Sequence, residues 1–188
     1  MNKLTDYIKV YKGWLTPEFC NEARIELDGE KWQQHKFYNP KNESYGNRSG
    51  NRELAISWGN IKNKDALIQR VWEAVSQYIL VDYKSEYFNG WSGFTPIRFN
   101  RYKEGKTMAK HCDHIHDMFD GKMKGIPTLS IVGFLNDDYE GGEFIMFDDM
   151  EIKVKQGDVL IFPSNFLYPH KVNPVTKGIR DSFVSWVW

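Results

Sequence analysis

The sequence predicts a mainly β fold with flanking α: a double-stranded β-helix (jelly-roll) core, with N-terminal helices packed on one of its sheets. Two observations carry this. From residue 95 onward, short runs rich in β-branched and aromatic residues alternate with turn signals, the pattern of a double-sheet jelly roll. Before that point, two stretches carry apolar residues at helical spacing. With 188 residues, 41% hydrophobic and 15% aromatic, the chain is long enough for one well-buried core and short for two. A single domain is therefore expected over 1–188, with 1–94 as helical support and a flexible flap and 95–188 as the jelly-roll core.

Residues 7–15 are rich in β-branched and aromatic side chains and read as a strand. Thr16-Pro17-Glu18 then supplies an N-cap hydroxyl, a first-turn proline and an acidic group, which starts a helix over about 17–28. Residues 33–60 are dense in Asn, Gly, Ser and Lys, with turn signals at Asn39-Pro40 and Tyr45-Gly46-Asn47. So long a polar stretch in a compact domain is a substrate-gripping flap, or else an ordinary loop or plain hairpin. A second helix over about 64–80 follows from Ala66, Leu67, Val71, Trp72, Val75, Tyr78 and Ile79 recurring at i, i+3 and i+4. Strands are expected at 96–103, 109–114, 127–136, 143–148, 151–155, 158–162, 168–173 and 180–188. The clearest turns are Asn136 to Gly142 and Lys155-Gln156-Gly157-Asp158.

Lysine plus arginine equal aspartate plus glutamate at 25 each, so no global basic field recruits nucleic acid, and no such partner is expected. Cys20 and Cys112 are too few for a disulfide framework. The start, Met1-Asn2-Lys3-Leu4-Thr5-Asp6, lacks the apolar run of a signal peptide. No stretch approaches the roughly 20 apolar residues of a membrane helix. A cytoplasmic chain with no membrane partner is expected; the oligomeric state is not legible.

The chemistry concentrates in His111-Cys112-Asp113, His170 and Arg180-Asp181-Ser182. Two imidazoles and one carboxylate are the ligand set of the facial triad that holds non-haem Fe(II) with open positions. On strands, residues i and i+2 share a face, so His111 and Asp113 converge while Cys112 turns away. His170 then shares a face with Val172, and Arg180 with Ser182, Val184 and Trp186. A guanidinium holds a carboxylate through two parallel hydrogen bonds and the Ser182 hydroxyl can add a third, which suggests that a dicarboxylate shares the iron. The apolar run from Phe183 to Trp188 argues against a surface ion pair for Arg180. The local cluster His111, Cys112, Asp113, His114 and His116 is the rival zinc reading, but its crowding does not match the usual zinc spacing.

Three further blocks surround these residues. Arg101-Tyr102-Lys103-Glu104-Gly105 precedes His111; Phe134-Leu135-Asn136-Asp137 precedes Gly141-Gly142-Glu143 and Phe147; Tyr168-Pro169-His170-Lys171-Val172 precedes the run from Pro174 to Arg180. With them the sequence resembles the Fe(II)/2-oxoglutarate-dependent dioxygenases, most closely the prolyl 4-hydroxylase and oxygen-sensing prolyl hydroxylase branch. The resemblance covers about 95–188 well and the N-terminal half only in general layout. It implies His111, Asp113 and His170 as iron ligands and Arg180 on the distal carboxylate of 2-oxoglutarate, with Ser182 beside it. Tyr102, Val172 and Trp186 would line the co-substrate pocket. Dioxygen is the second co-substrate and ascorbate a further candidate cofactor. The sequence departs from the branch in two places: Phe134 stands where oxygen-sensing members carry a Tyr, a loss that Ser182 would compensate, and Met108 stands where many members have a Tyr.

The implied activity is hydroxylation of a peptidyl residue, proline first, with release of succinate and carbon dioxide. The implied partner is a proline-containing peptide or protein. Lysyl or other protein or small-molecule hydroxylation is the runner-up. Nucleic-acid demethylases of this kind carry a second arginine where Trp186 stands. A non-catalytic jelly-roll metal-binding module is the rival from another class, although it has no need of a complete triad plus Arg180 and Ser182. Arg98 and Asn100 share an expected face with Tyr102 and are the candidates for substrate contact, or else cap the barrel rim.

Overall fold

The computed structural model describes residues 3–39, 41, 43–47, 50–84, 93–113 and 127–188. His114 and His116 of the zinc reading and Pro40 of the expected turn lie outside the described residues. A 3₁₀ turn (Leu4–Tyr7) leads into β1 (Lys9–Tyr11), shorter than the expected strand over 7–15. Helix α1 (Pro17–Asp28) starts as the sequence dictates, with the Thr16 hydroxyl accepting from the Phe19 amide at 3.2 Å and proline in the first turn.

The polar stretch 33–60 is more structured than a loop. It contains β2 (Gln33–Gln34), a hairpin of β3 (Phe37–Asn39) and β4 (Ser44–Gly46), and β5 (Ala55–Ser57). Helix α2 (Lys64–Ser76) gives way to a π-helical turn (Gln77–Asp82) rather than running on as one α-helix to 80. The cause is local. The Tyr83 amide bonds back to the Tyr78 carbonyl at 3.2 Å, and the Tyr78 hydroxyl donates to the Tyr7 carbonyl at 2.7 Å, which draws the helix end onto the N-terminal segment.

The remaining strands are β6 (Arg98–Tyr102), β7 (Met108–His111), β8 (Leu129–Phe134), β9 (Glu140–Gly141), β10 (Phe144–Met146), β11 (Met150–Ile152), β12 (Val159–Pro163), β13 (His170–Val172), β14 (Val175–Lys177) and β15 (Arg180–Val187). One antiparallel sheet runs β1-β12-β8-β15-β6-β5-β2, so N-terminal strands extend it at both edges; a second runs β11-β10-β13-β7. The pairing of β9 with β14 was not expected. It depends on Gly141, whose φ is +72° and whose missing Cβ would sit 2.5 Å from the Pro174 carbonyl oxygen.

The central strands of the large sheet, β12, β8, β15 and β6, are buried on both faces, and strand period 2 sorts their residues. Phe99, Ile131, Val159, Ile161, Phe183 and Val187 pack with Leu27, Leu67, Val71 and Val75 of the two helices. Tyr102, Val132, Phe134, Leu160, Phe162, Val184 and Trp186 face inward against Met108, Phe144, Met146, Ile152 and Val172 of the small sheet. This is the jelly roll with helices on one sheet that the sequence predicts. All eight residues of β15 are buried, so its inward polar residues, Arg180 and Ser182, lie inside the roll. Burying each large apolar side chain on its other face contributes about 1.5–3 kcal/mol, which offsets the cost of holding them there.

Candidate active site

Pairing of β13 with β7 sets His170 opposite His111 and brings their ring centroids to 4.4 Å. His111 Nδ1 lies 2.8 Å from the Ala109 carbonyl oxygen, and His170 Nδ1 lies 3.1 Å from that of Tyr168. A ring nitrogen facing a carbonyl must donate, so in each ring Nε2 is the nitrogen left to face the cluster. Those two nitrogens stand 3.4 Å and 3.7 Å from the same oxygen, Asp113 Oδ1. The Ser130 hydroxyl of β8 donates to the other oxygen, Oδ2.

Here the structure amends the expectation that a strand spans 109–114. The strand stops at His111, and Asp113 reaches the cluster from beyond it, held by Ser130 instead of a ladder hydrogen bond. Cys112 does turn away, its thiol meeting the Phe166 carbonyl at 3.4 Å. His170 is locked further by Phe144, stacked at 5.3 Å, and Phe162, edge-on at 5.1 Å. Phe37 of the hairpin meets the His111 ring edge-on at 5.6 Å, so part of the expected flap lies on the cluster.

Protonation suits a cation. Burial, with His111 adding to it, pushes His170 down from its ordinary value to about 4. Burial alone would raise the Asp113 carboxyl, but His170, His111 and the Ser130 hydroxyl together hold it well below the usual carboxylate range. At neutral pH the site therefore presents a neutral His170 and a charged Asp113, the states a divalent metal needs. Two atoms sharing one ion at about 2.1 Å each stand no more than about 4.2 Å apart, and both nitrogen-to-carboxylate distances fit. The ligand atoms of His111, Asp113 and His170 all lie within 4.8 Å of one another. Two nitrogens and one oxygen, with no thiolate, match the facial set for non-haem Fe(II).

Arg180 is 1% exposed. Its Nη1 donates to the Ser182 hydroxyl at 3.3 Å, while its Nε has no hydrogen-bond partner among the described residues. Its guanidinium carbon lies 4.7 Å from the Tyr102 ring centroid and 5.2 Å from that of Phe134. Phe134 thus supplies a cation–π face in place of a hydroxyl. No acidic side chain among the described residues lies within ion-pair distance of Arg180. Gly142 makes room for it, since a Cβ there would stand 3.0 Å from Arg180 Cδ.

The ten residues singled out from the sequence, Arg98, Asn100, Tyr102, His111, Asp113, His170, Val172, Arg180, Ser182 and Trp186, line one pocket. Met108 adds an apolar wall. Arg98 Nε donates to Asn100 Oδ1 at 3.1 Å, and its guanidinium lies 5.0 Å from the Trp186 ring centroid. Ser130, Phe144 and Phe37 were missed. Ser130 carried a faint signal, a lone polar side chain on the inward face of an apolar strand.

Outside the pocket, an ion network anchors these strands. Asp181 accepts from Arg101 Nε at 2.8 Å and Nη2 at 3.0 Å, Arg101 reaches Asp28 of α1 at 2.8 Å, and Asn136 Oδ1 accepts from the Asp181 amide at 2.7 Å. The Arg101, Asn136 and Asp181 positions in the sequence blocks thus serve to hold β15 in register with its neighbours.

Known proteins resemble this chain in sequence and in fold. Residues 97–188 match the profile described as 2OG-Fe(II) oxygenase superfamily. A PKHD-type hydroxylase from Idiomarina loihiensis is 33% identical over 139 residues, covering 68% of this chain and 60% of that protein. A PKHD-type hydroxylase from Stenotrophomonas maltophilia is 38% identical over 100 residues, covering 50% of this chain and 43% of that protein. The match thus spans 60% of the length of the first relative and 43% of the second, less than two thirds of either. In fold it is similar to a prolyl-4-hydroxylase of Pseudomonas putida, with a TM-score of 0.64, 20% identity and coverage of 96% of this chain and 91% of the other. It is also similar to a Trichoplax adhaerens prolyl hydroxylase solved with a hypoxia inducible factor peptide fragment, with a TM-score of 0.68, 16% identity and coverage of 98% and 84%.

Proposed function

We propose that this chain, whose residues 97–188 belong to the 2OG-Fe(II) oxygenase superfamily, acts as one unit over 1–188 that hydroxylates a peptidyl residue, most readily proline, at the expense of 2-oxoglutarate and dioxygen. The observation that carries the reading is a buried guanidinium, Arg180, with no acidic partner among the described residues, in one pocket with a two-histidine, one-carboxylate cluster. A desolvated charge of this kind is costly unless a ligand supplies the counter-charge.

His111, Asp113 and His170 would hold Fe(II), with Ser130 and the Ala109 and Tyr168 carbonyls fixing their orientation. When bound, iron would supply the oxygen activation and 2-oxoglutarate the two electrons it needs, ending as succinate and carbon dioxide, with one oxygen atom going to each of succinate and the substrate. The chain's own part is positioning and exclusion of water. Arg180 would take the distal carboxylate with its free Nε and remaining amino group, at about 1.5–3 kcal/mol per charge-assisted hydrogen bond. Ser182, which accepts from Arg180, keeps its own proton to donate to the same carboxylate. Tyr102 and Phe134 confine the guanidinium, and Val172, Val184 and Trp186 line the pocket it shares with the cluster.

The β3–β4 hairpin, through Phe37, is positioned to lie over a bound peptide, and Arg98 and Asn100 are the proposed substrate contacts. The PKHD-type and prolyl hydroxylase relatives support a peptidyl substrate. Reducing surroundings suit a ferrous site, so the proposed compartment is the cytoplasm. No helix among the described residues is long and apolar enough to cross a membrane. The test is incubation with iron, 2-oxoglutarate and proline-rich or lysine-containing peptides, read by mass spectrometry. One added oxygen on proline is expected; one on lysine instead would replace the assignment by lysyl hydroxylation.

A further inference from the structure

The pocket holds a second set of hydrogen-bond donors apart from the Arg180 set. Arg98 and Trp186 project inward from β6 and β15, where Arg98 is opposite Val184 and Trp186 is opposite Ser130, the residue that orients Asp113. Arg180 pairs instead with Tyr102, four residues along β6 from Arg98. The two arginines thus stand at different levels of one strand face.

Arg98 is half-buried and lines the pocket. Its Nε is used by Asn100, but its two amino groups have no partner among the described residues. Burial lowers the guanidinium from its ordinary value. The acidic group that acts on it is Asp113, whose oxygens are already engaged by Ser130 and the two imidazoles. Trp186 Nε1 is buried with no acceptor among the described residues. A guanidinium and an indole N–H can only donate, so their complement is an acceptor-only group with negative charge, which among common organic groups is a carboxylate.

We infer that Arg98 and Trp186 form a second anion subsite that receives a carboxylate of the substrate itself, beside the carbon to be hydroxylated. The inference rests on the oxygenase reading above and narrows its substrate class. An uncharged proline-containing segment is a poor ligand, whereas one with a carboxylate next to the reacting ring is a good one. That carboxylate can come from an acidic neighbouring side chain or from the end of a chain, including a free amino acid. Arg98 gives a forked contact and the indole a third donor, while the cation–π contact holds the guanidinium beside the indole before the substrate arrives.

The test is calorimetric binding to the whole chain loaded with Mn(II) and 2-oxoglutarate. Three matched pairs serve as probes: acetyl-glycyl-prolyl-aspartyl-glycinamide against its asparagine counterpart, acetyl-alanyl-glycyl-proline as free acid against amide, and free proline against prolinamide. Preference for the acid by about tenfold or more in at least one pair is expected, and the pair that shows it identifies the source. Arg98→Met should erase that preference and Arg98→Lys should restore part of it. Equal binding of acid and amide in all three pairs, or a preference that survives Arg98→Met, would overturn the proposal. Succinate formation from 2-oxoglutarate by the parent chain with Fe(II) is measured alongside. Its absence would overturn the oxygenase reading and the subsite with it, whereas succinate without acid preference removes the subsite alone.

Discussion

Replacing Arg180 by methionine separates ligand binding from folding, because the two should respond in opposite directions. In the ligand-free chain the guanidinium is 1% exposed, lacks an acidic partner among the described residues and leaves Nε unbonded. Methionine removes that desolvated charge at similar volume, so the ligand-free Tm should stay within about 2 °C of the parent or rise. The co-substrate response should collapse. A ligand at one hundred times its Kd adds about 2.7 kcal/mol to the folded state. For a chain of this size that is a rise of about 5–11 °C, at about 2–4 °C per kcal/mol. Losing two charge-assisted hydrogen bonds at about 1.5–3 kcal/mol each weakens binding at least about a hundredfold. The same 2-oxoglutarate concentration then stabilises by about 0.4 kcal/mol, a shift of about 1 °C. The assay is a thermal melt with Mn(II), which binds without turnover, with and without 2-oxoglutarate. A full shift in Arg180→Met would remove Arg180 from the co-substrate site. A ligand-free Tm lowered by more than about 8 °C would make the residue a structural one.

Ser130→Ala should leave the melt nearly unchanged but weaken metal binding about 10–100-fold, since Asp113 loses the hydroxyl that aims it; a metal titration reads this directly. Asp181→Ala should cost about 3–5 kcal/mol, toward the lower end because Arg101 keeps Asp28, and a chemical denaturation curve with an unaltered midpoint would refute the network's role. Gly133→Ala should destabilise by about 1–3 kcal/mol or more, because the new Cβ would lie 2.0 Å from the Phe183 ring, which the helices hold in place.

The residues that must have a particular chemistry were legible, and those that act by position were not. His111, Asp113, His170, Arg180 and Ser182 stand out because iron and a dicarboxylate accept few substitutes, and strand period 2 put all of them but Asp113 on inward faces. Ser130, Phe144 and Phe37 act across sheets, so their roles depend on β8, β10 and the hairpin meeting the cluster, which periodicity along one strand does not encode. The strand limit at His111 was missed for a related reason, because Asp113 is held by a side chain rather than by a ladder. Helix α1 was predictable to the residue from its cap and proline. The end of α2 was not, because tyrosine contacts with the N-terminal segment override the apolar repeat there. In the stretch 33–60 the polar composition hid β2 and β5, whose pairing depends on the sheet they join rather than on their own sequence.

The central claim is that the three-residue cluster and Arg180 together make an oxygenase centre. Its most direct test is the amount of succinate formed from 2-oxoglutarate in air by the purified chain with one equivalent of Fe(II), set beside the same chain carrying His170→Ala. The account predicts metal-dependent succinate from the parent and neither iron retention nor succinate from the variant. Equal succinate from both would contradict it.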